Sequence, residues 1–200
     1  DNNEISMIDT AISSTVDRTT QVMLKAPSVI SRLERTGVVS TENAKALGAV
    51  GLAARASGVD IDSRFDFNDK WYTSLNVVKP FKAAGDVYSR FKLRYKEIKQ
   101  SMKIIKKLLE QLENNNDSIK ASVEMNLAPN SFAISIVEGW RGEIVHIALT
   151  GANGELLRYK IKDPSFNNWY MLAMAVRNNG ISDFPLCNKS FNLSYCGNDL

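Results

Sequence analysis

The chain has 200 residues, 44% of them hydrophobic, a net charge of +3 and two cysteines. That size and apolar content suit one large domain or two small ones with a buried core. Two cysteines exclude a disulfide framework and make a reducing cytoplasm the expected setting. The longest nearly apolar run, residues 47–54, is far short of the ~20 residues a membrane-spanning helix needs. The sequence opens without Met and without a basic-then-apolar leader, so it is expected to be no secretory precursor but a piece of something longer.

In chain order, Ile5, Ile8, Ile12, Val16 and Met23 predict an amphipathic helix that stops before Pro27. Ser40 is a plausible N-cap for a short helix, Thr41 to Leu47, closed by Gly48. Gly48, Gly51 and Gly58 read as loop and close-approach positions. Residues 63–81 lack periodicity and are expected to form a long loop. From Asp86 to Leu112 the pattern is clearest: Tyr88, Phe91, Tyr95, Ile98, Met102, Ile105, Leu109 and Leu112 fall on one stripe of a long helix, expected to be core. Residues 113–117, ENNND, end it.

Three strand-like stretches follow, SFAISIVEG, EIVHIALT and ELLRYKIKD, joined by GWRG and GANG. Both connections are of hairpin type, which predicts an antiparallel three-stranded meander. Ser165 is then expected to cap a helix to about Arg177, with a final short helix beginning near Asp183. The expected fold is α+β and predominantly helical. It comprises a helical part (1–113) with a glycine-rich loop and a long basic helix, the meander (118–163) and C-terminal helices (164–200), together one domain.

Between Lys82 and Lys107 the chain carries nine Lys/Arg against two acids, Asp86 and Glu97. Such a face can bind nucleic acid or lipid headgroups, but few aromatics are interleaved, and a solvated face is the plainer reading. No nucleic-acid partner is expected. His146, the only histidine, lies in a predicted strand without a nucleophile motif and reads as a packed or hydrogen-bonded residue. Neither a P-loop nor a G-x-G-x-x-G sequence occurs. Arg55 in ARASGVDID and Arg141 in EGWRGEIVH each stand beside small residues in a predicted loop or turn. A guanidinium there can clamp a carboxylate, a backbone carbonyl or an anion through forked hydrogen bonds.

Three stretches carry a resemblance: LERTGVVSTENAKALGAVGLAARASGVDIDSR, GDVYSRFKLRYKEIKQSMKII and EGWRGEIVHIALTGANGELLRYKIKDPSFNNW. In this order they resemble the C-terminal half of nickel–iron hydrogenase-like large subunits. That family includes the energy-converting hydrogenases, the formate hydrogenlyase large subunits and the large subunit of NADH:quinone oxidoreductase (respiratory complex I). The resemblance spans about residues 17–200. It implies that Arg141 stands where the hydrogenases place an arginine over their metal site, and that DPSFNNW leads the chain back to that pocket. The family's closing Asp-Pro-Cys-x-x-Cys falls on Asn192, Leu193, Ser194 and Gly197. Both metal-binding cysteines are therefore replaced, by Ser194 and Gly197, with Cys196 one residue off register.

The resemblance thus implies part of a large subunit in a membrane-associated electron-transfer complex, without a nickel–iron centre and without turnover by this fragment alone. A non-catalytic scaffold that only docks redox partners is the alternative. The implied partners are an iron–sulfur small subunit and membrane subunits that hold the protein peripheral to the membrane, on its cytoplasmic side. The chain itself has no expected cofactor, and the iron–sulfur cluster belongs to the partner. Arg55, Asp60, Arg64, Arg141 and Glu143 are the expected remnant pocket, the arginines as clamps and the carboxylates as their partners or proton-handling groups. Cys187 and Cys196 are expected to be free thiols.

Overall fold

A computed structural model of the chain describes residues 2–67, 72, 74, 75, 84–113 and 126–199. Helix α1 (Asn2–Lys25) stops at Ala26, and Pro27 opens α2 (Pro27–Leu33), where its missing N–H costs nothing. α1 lies along the long helix α6 (Val87–Glu113). Only part of the expected apolar stripe is covered: Val16 and Met23 are half-buried. Ile5, Ile8 and Ile12 are exposed, while Asp17 accepts a hydrogen bond from the Tyr95 hydroxyl (2.7 Å) and pairs with Lys99 (3.2 Å). Periodicity says which residues share a helix face but not which part of that face a neighbour covers.

Helix α3 (Thr41–Ala46) is capped as expected, the Ser40 hydroxyl accepting from the Asn43 amide at 3.2 Å. Residues 51–56, read as loop, instead form α4 (Gly51–Ala56), every residue of it buried. Three alanines and a leucine among six residues supply the helix propensity that the flanking glycines masked. A four-residue helix, α5 (Ser63–Asp66), opens the segment expected to be a loop, and most of the remainder of that segment lies outside the described residues.

Helix α6 has the expected span but a different core face. Its buried residues, Val87, Ser89, Arg90 and Leu93, lie in the first two turns, whereas seven of the eight stripe residues are half-buried and Leu112 is 54% exposed. Among the described residues, full burial on α6 is confined to its start. Arg90 is the anchor there. Its guanidinium donates to the carbonyls of Gly37 (2.9 Å) and Gly85 (2.8 Å) and to the Ser190 hydroxyl (2.9 Å). It also lies 4.2 Å from the centre of the Phe191 ring. Burial pushes its pKa down to about 10, so it remains a cation at neutral pH.

The meander forms as read: β1 (Phe132–Gly139), β2 (Gly142–Thr150) and β3 (Leu156–Lys162), antiparallel in the order β1-β2-β3. Gly139 pairs with Gly142 across the Trp140-Arg141 turn, and a bulge follows Leu149. His146 on β2 hydrogen-bonds the Tyr159 hydroxyl on β3. Helix α7 (Ser165–Ala175) is capped by the Asp163 carboxylate, which accepts from the Ser165 amide at 2.7 Å, so Ser165 is not the cap it was expected to be. A 3-10 turn, Ile181–Asp183, leads into α8 (Phe184–Phe191), closed by Asn192 in the left-handed region at φ 53°. The main core joins Leu33, Val39, Ala53, Val87, Met171 and Phe191 from six parts of the chain.

Truncating Leu93 to Ala is expected to destabilise the chain by about 2–5 kcal/mol, and Leu112→Ala by under ~0.5 kcal/mol. Urea denaturation of the two variants measures the contrast, and equal losses would mean that the C-terminal half of α6 is core after all.

Candidate functional site

Arg55, on α4, is 1% exposed and meets three carboxylates from three other segments. Its Nη1 lies 3.2 Å from Asp62 and 2.9 Å from Glu138 of β1, and its Nη2 pairs with Glu97 of α6. Nη1 also donates to the Ile61 carbonyl at 3.2 Å. Arg64 of α5 forks onto Asp62, with Nε at 2.9 Å and Nη2 at 2.6 Å, and stands 3.7 Å from Glu97. Two cations and three carboxylates therefore share one buried cluster.

Burial works against the charge on each of these groups, and the outcomes differ. Arg55 is pushed down by burial but more strongly up by Glu97, Glu138 and Asp62, so its cation is secure. Burial raises Asp62, yet its hydrogen bonds to Arg64 and the charge of Arg55 hold it below the usual carboxylate value of 3.8. For Glu138 burial wins: its carboxyl is raised despite Arg55, with Asp62 adding to the rise. The cluster forms the polar end of a cavity of about 550 Å³, whose apolar wall is Ile98, Met102, Ile105 and Leu108 of α6, with Trp140 beside them. Part of the predicted stripe lines this space, which is why it is only half-buried.

A second assembly joins the β1–β2 turn to the chain's end. Gly51 at φ 63° and Gly142 at φ 139° touch backbone to backbone, so a Cβ at Gly51 would collide with Gly142 Cα. The buried Asn168 amide of α7 bonds both the N–H (3.2 Å) and the carbonyl (3.1 Å) of Val50. Arg141 projects from the turn and its Nε donates to the Asn192 carbonyl, which ties the turn to the C-terminal segment. Beyond Asn192 the tail is fixed by the Ser165 hydroxyl, which accepts from the Ser194 amide (3.0 Å), and by the Trp169 indole, which donates to the Ser194 carbonyl (3.3 Å).

Of the five residues expected to form one pocket, the structure brings together Arg55 and Arg64. Asp60 is exposed, and Asp62 makes the contact, because the two-residue step into α5 turns it inward. Glu143 pairs instead with Lys162 on the sheet at 3.3 Å. Glu138, its partner across the hairpin, sits at the end of β1 against α5 and reaches Arg55. Arg141 belongs to the tail assembly. Sequence reasoning missed Asp62, Glu97, Glu138 and Asn168. The available signal for Asp62 was its place two residues ahead of Arg64, as an N-cap carboxylate.

A nickel–iron centre needs converging thiolates. Here the Ser194 hydroxyl accepts from the Gly197 amide at 3.0 Å, and a Cβ on Gly197 would stand 2.5 Å from Asp163 Cγ. The residues at these two positions do not fit such a centre. Segment 193–195 is not helical: α8 ends before it, and a 3-10 turn starts at Cys196. Both cysteines are free thiols, Cys187 buried and Cys196 exposed. Burial also raises the Cys187 thiol, keeping it neutral.

Replacing Arg55 with Met leaves three carboxylates to Arg64 alone and is expected to cost about 3–5 kcal/mol, against under ~1 kcal/mol for Glu143→Gln. Because Asp62 titrates lower in the folded chain than its ordinary 3.8, its contribution is present above that pH and is lost as pH falls through the folded value. Asp62→Asn should therefore lower stability at neutral pH and flatten the acid limb of a stability–pH profile. An unchanged acid limb would remove Asp62 from the ionic cluster.

Comparison with known proteins matches this arrangement to one family. Residues 2–199 match the family described as respiratory-chain NADH dehydrogenase, 49 Kd subunit. Formate hydrogenlyase subunit 5 of Escherichia coli is 29% identical over 92% of this chain and 32% of its own length. An NADH-quinone oxidoreductase subunit of Chloroherpeton thalassium is 33% identical over 77% of the chain and 40% of its own length. Membrane-bound hydrogenase subunit alpha of Pyrococcus furiosus is 31% identical over 81% and 41%. The chain thus spans less than half the length of these relatives. A chain of the membrane-bound sulfane sulfur reductase, described as an archaeal respiratory membrane complex, shares the fold with a TM-score of 0.88 at 21% identity, covering 100% of this chain and 55% of that one. No helix among the described residues is long and apolar enough to cross a membrane. With the Arg55 cluster, the Arg141 turn and the closing tail in place, the chain belongs to the family of the respiratory-chain NADH dehydrogenase 49 kDa subunit and its hydrogenase-like relatives.

Proposed function

We propose that this chain forms part of the large subunit of a membrane-attached respiratory complex and supplies one wall of its electron-acceptor pocket. The observation that carries this reading is the cavity of about 550 Å³ between the apolar side of α6 and the buried Arg55 cluster. An apolar space with a few fixed polar groups at one end is the usual form of a small-molecule site. In this reading an iron–sulfur partner passes electrons towards a quinone or another acceptor, and membrane subunits hold the chain at the cytoplasmic side of the membrane. Arg55 and Arg64 set the geometry of the wall. Glu138, whose carboxyl is raised by burial, is the group that exchanges a proton with the cavity.

The same reading has no nickel–iron centre, supported by Ser194 and Gly197 at the positions where the resemblance places cysteines and by the lack of room beside Gly197. A scaffold without redox chemistry is the competing reading. It is favoured by the pairing of Arg55 Nη1 and Nη2 with three carboxylates and the Ile61 carbonyl, which leaves only its buried Nε without a partner.

The purified native assembly decides between the two. Elemental analysis is expected to find no stoichiometric nickel. Reoxidation of its iron–sulfur signal by a short-chain quinone, followed by electron paramagnetic resonance, is expected to proceed and to slow at least ~10-fold in Glu138→Gln. An assembly whose iron–sulfur signal no quinone reoxidises favours the scaffold, and stoichiometric nickel overturns the metal-free reading.

A further inference from the structure

The three-stranded sheet meets the helices mainly at its base, β1 against α5 and β2 against α4. The strand register places Phe132, Ile134 and Ile136 of β1 beside Leu149, Ile147 and Val145 of β2, all on one face. At its outer end that face is bare among the described residues: Phe132 is 62%, Ile134 53% and Leu149 41% exposed. On β3 the next residues of the same face are Arg158, Lys160 and Lys162. Lys162 is held by Glu143, whereas Arg158 and Lys160 are exposed. The face is therefore an apolar strip two strands wide with a row of cations along one margin. The two edges of the sheet also differ, because β1 has no charged residue from Phe132 to Val137 to keep other chains away.

We propose that this face docks a second polypeptide of the assembly, whose covering segment has an apolar ridge and carboxylates along the flank that meets Arg158 and Lys160. Charge complementarity selects the partner. An anionic membrane is laterally uniform and would be served by cations around the whole apolar area, not along one strand. Two exposed cations are also fewer than the cluster of about four to eight that marks a lipid-binding patch. A second copy of this face offers Arg158 and Lys160 no free carboxylate, because Glu138 is buried on Arg55 and Glu143 is paired with Lys162. An apolar ridge with acids on one flank satisfies both halves of the surface, and covering it removes the exposed aromatic and aliphatic side chains from water.

The proposal rests on the reading of this chain as a subunit of a larger assembly. Zero-length carbodiimide cross-linking of the purified native assembly, read by tandem mass spectrometry, tests it. Lys160 is expected to join an Asp or Glu of a different polypeptide, and R158E/K160E is expected to loosen that interface at low salt, with high salt partly restoring it by screening the new repulsion. Links from Lys160 only to its own polypeptide, or no link at all, overturn the proposal. So does binding to vesicles containing one-third phosphatidylserine that R158E/K160E abolishes, since this marks a lipid surface. A subunit recovered from its membranes without partners overturns the assembly reading itself, a result distinguishable from an intact assembly lacking the Lys160 link.

Discussion

A single buried guanidinium organises this structure. Placing Arg55 away from water carries a desolvation cost of several kcal/mol, recovered only when carboxylates and a carbonyl surround it with good geometry. Those carboxylates come from the loop before α5, from the middle of α6 and from the end of β1. Satisfying one charge therefore fixes three elements around a fourth. The position of the sheet on the helical body follows from Glu138 reaching Arg55 and accepting from the Ser63 amide at 3.1 Å. Arg64 then compensates the excess of carboxylate, and what the elements enclose beside it is the cavity.

The second fastening is steric. Gly51 and Gly142 approach so closely that no side chain fits at Gly51, and the Asn168 amide closes over the same point. This contact sets the hairpin turn against the start of α4, directs Arg141 at the tail and brings Ser165 under Ser194. Charge thus holds one end of β1 and backbone contact holds the turn that follows it. The tail beyond Asn192 is ordered by hydrogen bonds from α7 and from the turn, not by a helix of its own. Ser194 and Gly197 are held in that path by these bonds.

The helical body and the sheet are unequally covered. Around Val87, Arg90 and Met171 the chain is densely closed, with a cation whose donors go to carbonyls and a hydroxyl in place of a carboxylate. Towards Leu112, along Ile5, Ile8 and Ile12, and over Phe132 and Ile134, apolar side chains face outward among the described residues. A chain spanning less than half of its relatives' length, in a family whose members work as subunits, is where such bare faces are expected.

The sequence by itself determined the elements whose signals are local. The span of α6 followed from its three-and-four spacing, the meander from alternation and two hairpin turns, and the α3 cap from Ser40. It also determined the family, because the motifs around Arg55 and Arg141 stand in a fixed order. It did not determine which side of α1 or α6 is core, since periodicity is blind to what lies opposite, nor that the glycine-flanked residues 51–56 are helical. The pocket residues divided in the same way. Arg55 and Arg64 were visible as arginines in small-residue surroundings, whereas Asp62, Glu97 and Glu138 are separated from Arg55 by 7, 42 and 83 positions. Only the tertiary structure could choose Asp62 over Asp60 and Glu138 over Glu143. Near a buried charge the choice depends on which carboxylate the packing between elements brings within reach, and for Glu138 and Glu143, paired on one face of the sheet, nothing local decides it.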